Sequence, residues 1–517
     1  MLIHRRGRLL LPVICASVWI LFVTGCRDDQ NSRSEKSTAT APPSNSQIDR
    51  PSGITLVAAV RESNERTQEV SNGPREQKRF EVILRDVVRL PPSSKEKPLA
   101  RINYLYHAND ASGRVFVADA RGGIYIIKNE QLLPEPFLDM KIREPAFTMA
   151  PSEGLSTFAF HPDFAKAGRP GYGKFYTTST EVPSSGTSDY PPPARLAKPQ
   201  HHGVLTEWTV DAKNPNRIDP KTRREVLRIA HPAEGHIMGQ IAFNPNARPG
   251  EPDYGMLYIG MGDGSNAPQS LRNAQDKSLP FGKILRINPL PSAASKYSVP
   301  SDNPFIRDAS AMKEVWAYGL RNPQRFSWDT GGDQKMIIAD IGERQAEELN
   351  VGKAGANYGW GEREGTFAVN PNDESKVTAL PPDDAKRGYT YPALQYRRVT
   401  QMAITGGYVY RGYVAPDLRG KYVFGDIVTG KIYFTEASEL VNDRPAPPFY
   451  ELPLKYSGRQ QSLLEILGGD SRADLRFGMD ERGEIYVTTK RDGAVRKLSI
   501  SSQLEGTLRA VPVSNVP

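Results

Sequence analysis

One layout recurs six times along this chain: a run of β-branched or aromatic residues that ends in a turn. It appears at Arg114–Ile127, Gly173–Thr180, Gly255–Gly264, Lys335–Glu343, Gly420–Phe434 and Gly483–Leu498. Such runs read as short strands, and amphipathic helical patterns of any length are scarce, so the expected class is all-β. Successive starts lie about 60 to 85 residues apart, longer than the ~40–45 of a compact propeller repeat, so each unit must carry enlarged loops. A unit of this kind exposes an unpaired sheet edge, and radial packing around an axis protects it. Six units in a ring, a six-bladed β-propeller, satisfy that requirement. A pair of packed sheets is the alternative arrangement for the same strands.

The flanks have a different character. Arg5, Arg6 and Arg8 precede a largely apolar run, Leu9–Phe22, and Val23-Thr24-Gly25-Cys26 then matches a bacterial lipobox. The run is short for a spanning helix, which needs about 20 apolar residues. Residues 1–25 are therefore expected to be a lipoprotein signal peptide, with Cys26 carrying lipid. Arg27 follows the cysteine, where an Asp would commonly signal retention in the inner membrane, so the expected destination is the outer membrane, facing the periplasm. Residues 26–78 are rich in Ser, Thr, Asn, Gln, Glu and Pro and read as a disordered tether. The folded domain is expected over 79–500, with 501–517 as a tail. Pro183–His202 and Gly365–Arg398, rich in Pro, Ser, Asp and Lys, read as inserted surface loops.

Cysteine and charge exclude several classes. With only Cys15 and Cys26 in the chain, the mature domain has no disulfide and no Cys-x-x-Cys-His haem attachment. The formal charge of +8, less the three signal arginines, leaves +5, with no basic run. Nucleic-acid binding is not expected.

The densest candidate site is Glu314–Asp329, EVWAYGLRNPQRFSWD, where a strand-like run breaks at Gly319 and Arg321, Asn322 and Gln324 surround Pro323. Proline fixes the local backbone, so a rigid loop presents one guanidinium and two amides. That set suits a polar or anionic ligand; equally, the arginine can bond loop carbonyls. His236, flanked by glycine at a strand entry, can be a general base or a structural histidine. Gly262-Asp263-Gly264 reads first as a tight turn. Asp340, Glu347 and Glu348 read as surface charge, and His201 and His202 as loop residues without fixed partners.

In order, the chain carries FAFHPDF (Phe158–Phe164), HIMGQIAF (His236–Phe243), LYIGMGDG (Leu257–Gly264), FGKILRINP (Phe281–Pro289), GLRNPQ (Gly319–Gln324), IADIGERQAEELN (Ile338–Asn350), ANYGW (Ala356–Trp360), ITGGYVYRG (Ile404–Gly412) and GKYVFGDIVTGKIYF (Gly420–Phe434). Over about residues 80–500 this series resembles the soluble glucose/sorbosone dehydrogenase family, the aldose sugar dehydrogenases. The resemblance implies a six-bladed propeller using pyrroloquinoline quinone (PQQ) and Ca²⁺ to oxidise the C1 hydroxyl of an aldose to the lactone, passing electrons to an unidentified acceptor. By the same resemblance His236 is the base and Arg321 stabilises charge at the quinone oxygen. Asn322, Gln324 and Arg472 contact the cofactor, and the backbone carbonyls of Gly342 and Glu343 hold calcium. His161 in FAFHPDF is expected to pack or cap its turn.

The match departs from the family pattern where PQQ's carboxylates are expected to meet cations. Val428 or Thr429 stands where a lysine falls in the family, with Lys431 displaced. An Arg-x-Arg-Asp becomes Ser471-Arg472-Ala473-Asp474, with Arg476 close by, and Gly235 precedes the base where Asp or Asn is usual. The alternative reading is a non-catalytic carbohydrate- or protein-binding propeller that has lost PQQ. A calcium-dependent lactonase on a similar fold would want an acidic cluster at the axis, and no convincing set is visible.

Overall fold

The first strands of successive antiparallel sheets lie side by side, and the loops at their ends make the candidate site. The computed structural model describes residues 77–78, 81–149, 154–190, 198–264, 271–293, 295–370, 373–398, 402–500, 507–508 and 511. The expected signal peptide and nearly all of the expected tether and tail lie outside the described residues. At their margins Gln77–Lys78 pairs with Thr507–Leu508.

The class is all-β, with few helices. Four sheets are four-stranded antiparallel meanders. The first runs Leu155–Phe160, Lys174–Glu181, His201–Asp211 and Asn214–His231, and the second Met238–Phe243, Leu257–Met261, Lys283–Ile287 and Val315–Tyr318. The third runs Arg325–Trp328, Met336–Asp340, Ala346–Val351 and Leu394–Arg397, and the fourth Ile404–Val409, Lys421–Asp426, Ile432–Glu436 and Phe449–Glu451. A larger sheet joins two runs. One is Leu475–Met479, Ile485–Thr489, Ala494–Ile500 and, from the other end of the chain, Val82–Arg89; the other is Ile102–His107, Arg114–Asp119 and Gly123–Lys128. The runs meet at a single parallel pairing, Gly478 with Leu105. Each of the six segments singled out in the sequence covers the second strand of one of these runs.

A first strand lacks a ladder partner on one side, so its backbone groups must be satisfied otherwise. Side chains from neighbouring first strands do this. Asn103 Nδ2 donates to the carbonyls of Leu155 and Ser156 at 3.2 and 3.0 Å, and Thr157 Oγ1 to that of Gly239 at 3.1 Å. Gln240 Oε1 accepts from Phe326 N at 3.1 Å, Ser327 Oγ donates to Gly407 O at 2.7 Å, and Arg325 Nη2 returns to Asn103 O at 2.9 Å. Between the sheets the contacts are apolar: Phe116, Phe158, Phe160 and Phe175 form one packed group, and Ile284, Phe326 and Ile338 join the second sheet to the third.

Two expectations are corrected. Gly365–Arg398 is not a bare loop: Phe367–Asn370 pairs with Arg363–Glu364 on one side and Asp373–Thr378 on the other in a small sheet, and Leu394–Arg397 is the outer strand of the third sheet. His201 and His202 are buried at the start of a strand; the ring of His201 stacks on His231 with centroids 5.2 Å apart, and His202 Nδ1 lies 3.2 Å from Arg228 Nη1. Composition pointed to loops because it ignores pairing partners distant in the chain.

His161 does cap its turn, Nδ1 accepting from Asp163 N at 3.0 Å, and burial holds its pKa down to about 4. His107 is alike, accepting from Asn109 N at 3.1 Å, its pKa also lowered by burial to about 4. In the unfolded chain each takes a proton near 6.5, so between pH 6.5 and 4 the unfolded state binds more protons. Their contribution is therefore present above pH 6.5 and lost as pH falls toward 4, at most on the order of 3 kcal/mol each. Across that range the urea midpoint of the wild type is expected to fall relative to that of His161→Gln as pH drops; a difference between the two that stays constant would contradict this.

Candidate functional site

His236 enters the second sheet with a left-handed backbone, φ 52°. Gly262 packs against it so closely that a Cβ there would lie 2.5 Å from the His236 carbonyl carbon and oxygen. The glycine of the GDG turn thus lets the next residue reach the imidazole: Asp263 Oδ1 lies 2.7 Å from His236 Nδ1. Asp263 is fully enclosed, its Oδ2 accepting from Trp360 Nε1 at 2.9 Å and its carbonyl from Asn273 Nδ2 at 3.0 Å. A carboxylate on Nδ1 places the proton there and leaves Nε2 as the basic nitrogen. The turn reading of Asp263 was thus incomplete, because its partner Trp360 is 97 residues away.

The GLRNPQ loop is tied to the same unit, since Asp263 N donates to Arg321 O at 2.7 Å. Asp340 holds the loop from beneath, accepting from the N–H groups of Arg321 and Asn322 at 2.9 and 2.6 Å, and Gln324 N donates to Asn322 O at 2.7 Å. The Arg321 guanidinium lies over the Trp360 ring, 5.5 Å from its centroid. Its Nη1 donates to the carbonyls of Ile341 and Gly342 at 3.0 and 2.8 Å, and its Nη2 pairs with the Glu343 carboxylate. Arg398 Nη1 donates to the same Gly342 carbonyl. Arg321 Nε and Gln324 Oε1 are buried without a hydrogen-bond partner.

Carboxyls do much of the holding. Four consecutive backbone N–H groups, of Glu343, Arg344, Gln345 and Ala346, converge on Glu364 Oε1 at 2.8, 2.8, 2.8 and 3.2 Å. Asp340, Glu347 and Glu348 are buried, not surface charges as expected; burial raises their pKa values to about 7, 8 and 8. Glu347 accepts from Ile404 N at 2.9 Å, and Glu348 from Gly365 N at 2.5 Å.

Of the residues expected at the site, His236, Arg321, Asn322, Gln324, Gly342 and Glu343 belong to this connected network. Arg472 is half exposed and pairs with Asp474, and Lys431 is paired with Glu451 at 2.8 Å; Arg476 is buried. Sequence reasoning missed Asp263, Trp360, Glu364 and Arg398 as members of this network. The donor set at Gly342 does not fit calcium, because that carbonyl already accepts from two guanidinium groups. Among the described residues no three His, Cys, Asp or Glu side chains gather as a metal site. The set does fit an anionic group such as PQQ: two arginines meet at the Gly342 carbonyl within the network that includes His236, and a buried guanidinium nitrogen lacks a partner.

A family model described as Glucose / Sorbosone dehydrogenase matches residues 104–497. The chain is 29% identical over 373 residues to the HIPL1 protein of Arabidopsis thaliana, covering 65% of this chain and 52% of that one. It is 27% identical over 388 residues to the mouse Hedgehog-interacting protein, covering 74% and 47%. The chain thus spans about half the length of these curated relatives. Among solved structures, the PQQ-bound aldose sugar dehydrogenase of Streptomyces coelicolor superposes with a TM-score of 0.53 at 19% identity, covering 83% of this chain and 100% of that one. The chain therefore shares that protein's β-propeller fold.

The Glu364 carboxylate is the anchor of the turn that carries Gly342 and Glu343. Glu364→Gln retains an acceptor but loses the charge, and is expected to lower stability by about 1.5–3 kcal/mol. Thermal unfolding measures it, and a variant as stable as wild type would show the four N–H groups to be satisfied without the charge.

Proposed function

The chain belongs to the glucose/sorbosone dehydrogenase family, and from that membership we propose that it is a six-bladed quinoprotein that oxidises the C1 hydroxyl of an aldose to the lactone. The observation that carries this reading is the joined unit of His236, Asp263 and Arg321, in which a base with a fixed tautomer and a buried guanidinium share one hydrogen-bonded frame. Oxidation at C1 removes the hydroxyl proton and a hydride equivalent while the C1–O bond becomes a carbonyl. His236 Nε2 takes the proton, and Asp263 stabilises the imidazolium that results. Arg321, held over Trp360, faces developing negative charge with a fixed donor. PQQ, when bound, supplies the two-electron acceptor; Arg321, Asn322, Gln324 and Arg398 are the residues that would hold it. Six blades are supported by the order of the first strands, in which Leu475–Met479 lies against Ile102–His107 and each of the others against the next in sequence. The lipobox cysteine would tether the domain to the outer membrane on its periplasmic side, where a soluble or membrane acceptor would take the electrons.

A second reading is a binding propeller without catalysis. Two observations favour it: the Arg321–Glu343 ion pair already closes the guanidinium, and the likeness to Hedgehog-interacting protein extends over 74% of the chain. One experiment separates the two. The full chain is titrated with PQQ by absorbance, then given an aldose panel with a dye acceptor. The dehydrogenase reading expects binding and dye reduction, with turnover falling about 10²–10⁴-fold in His236→Ala. No binding at tens of micromolar PQQ leaves the binding propeller.

A further inference from the structure

We infer that Arg321 and Arg398 replace a divalent cation at the Gly342 carbonyl, so that this chain holds its anionic ligand without calcium. The inference rests on placing that ligand at the His236–Arg321 site.

A carbonyl oxygen has two lone pairs. At Gly342 both are engaged, one by Arg321 Nη1 at 2.8 Å and one by Arg398 Nη1. The neighbouring Ile341 carbonyl is engaged as well, accepting from Arg321 Nη1 at 3.0 Å. Calcium needs six to eight oxygen ligands at about 2.3–2.6 Å. To bind here it would have to expel both guanidinium groups, each of which is anchored: Arg321 on Glu343, and Arg398 Nη1 3.5 Å from Glu347 Oε1. Among the carboxylates around that carbonyl, Glu347 Oε1 and Glu364 Oε2 accept no hydrogen bond, but Glu347 Oε1 faces Arg398 and the other carboxylates are engaged. Glu364 Oε1 receives four N–H groups, Asp340 receives two, and Glu343 faces Arg321. What calcium would bring to an anionic ligand, fixed positive charge at the Gly342 carbonyl, the two guanidinium groups already provide. Their planar forks also match carboxylates in a way a spherical ion does not.

The test is equilibrium dialysis of chelator-stripped full chain against radioactive calcium, with melting curves in calcium, magnesium and EGTA. The expected result is no bound calcium up to about 1 mM, the weak end of known calcium sites, and no calcium-specific rise in melting temperature. One equivalent bound at micromolar calcium overturns the inference. Arg398→Gln removes one donor and one charge from the carbonyl, and is expected to acquire a calcium-dependent rise in melting temperature. A folded variant as indifferent as wild type would overturn the role given to the arginines; if the variant does not fold, dialysis of the wild type decides. PQQ titrations in EGTA and in calcium keep the two readings apart. Affinities equal within about twofold support both. Binding only with calcium overturns this inference and leaves the dehydrogenase. No binding in either buffer removes the dehydrogenase, and the dialysis then decides the calcium question by itself.

Discussion

The pairing of Val82–Arg89 with Ala494–Ile500 is the constraint on which the rest of the architecture depends. It brings opposite ends of the domain into one antiparallel sheet, in register from Val82 with Ile500 to Arg89 with Ala494. The opposite ends of the chain otherwise meet in that sheet at Gly478 with Leu105 and where Val82–Leu84 pairs with Leu454–Tyr456. The joined strand also contributes to the core, since Val82 and Leu84 pack in the same cluster as Val423, Phe477 and Leu498. Entropy explains why such a closure is needed. Each sheet is a local meander, inexpensive to form, but the arrangement of sheets is non-local and is fixed only when the last gap is filled.

Given that frame, the site is built chiefly by buried carboxyls acting on backbone. Asp263 orients the base, Asp340 carries the GLRNPQ loop, Glu364 gathers the turn after Ile341, and Glu347 links the Gly342 region to the fourth sheet through Ile404 N. An acid removed from water needs several donors to offset the loss of hydration, and each of these has two or more. Precision at the site thus follows from carboxyls that are answered by backbone donors, and not from the stiffness of the loops themselves.

The same fact sets what was legible in the sequence. Strand class and the second strand of each run were visible, because period-two alternation and turn residues are local signals. His236, Arg321 and Asn322 were visible through the order of short motifs. Asp340, Glu347 and Glu348 were misread as surface charge, since nothing within ten residues announces that Arg321, Ile404 and Gly365 will cover them. Trp360 and Asp263 are 97 residues apart, and Glu364 reaches back 21 residues to Glu343. A sequence reading judges a carboxylate by its neighbours, whereas the fold answers it with partners brought in from other strands. The strands within Gly365–Arg398 were hidden for a related reason: their apolar contacts, Val369 with Trp360 and Ala274, and Leu394 and Tyr396 with the third and fourth sheets, join residues distant in the chain.

The arrangement of charge around Gly342 has a consequence for selectivity. Because Arg321 already holds the Glu343 carboxylate, an entering anion does not meet a bare cation. It exchanges one carboxylate for another, and the net gain is the difference between two similar ion pairs. A ligand with a single weak anionic group gains little from that exchange. One that presents several carboxylates on a rigid plane gains more, because it can engage Arg321 and Arg398 together without the entropy cost of ordering a flexible side chain. On the proposed function Glu343 would act as a stand-in that keeps the guanidinium oriented, and small inorganic anions would be disfavoured by the same competition. The base is untouched by this exchange, since His236 is held by Asp263 and not by Glu343. On the proposed function, ligand selection and proton transfer would be carried by different carboxylates, joined through the backbone bond from Asp263 N to Arg321 O.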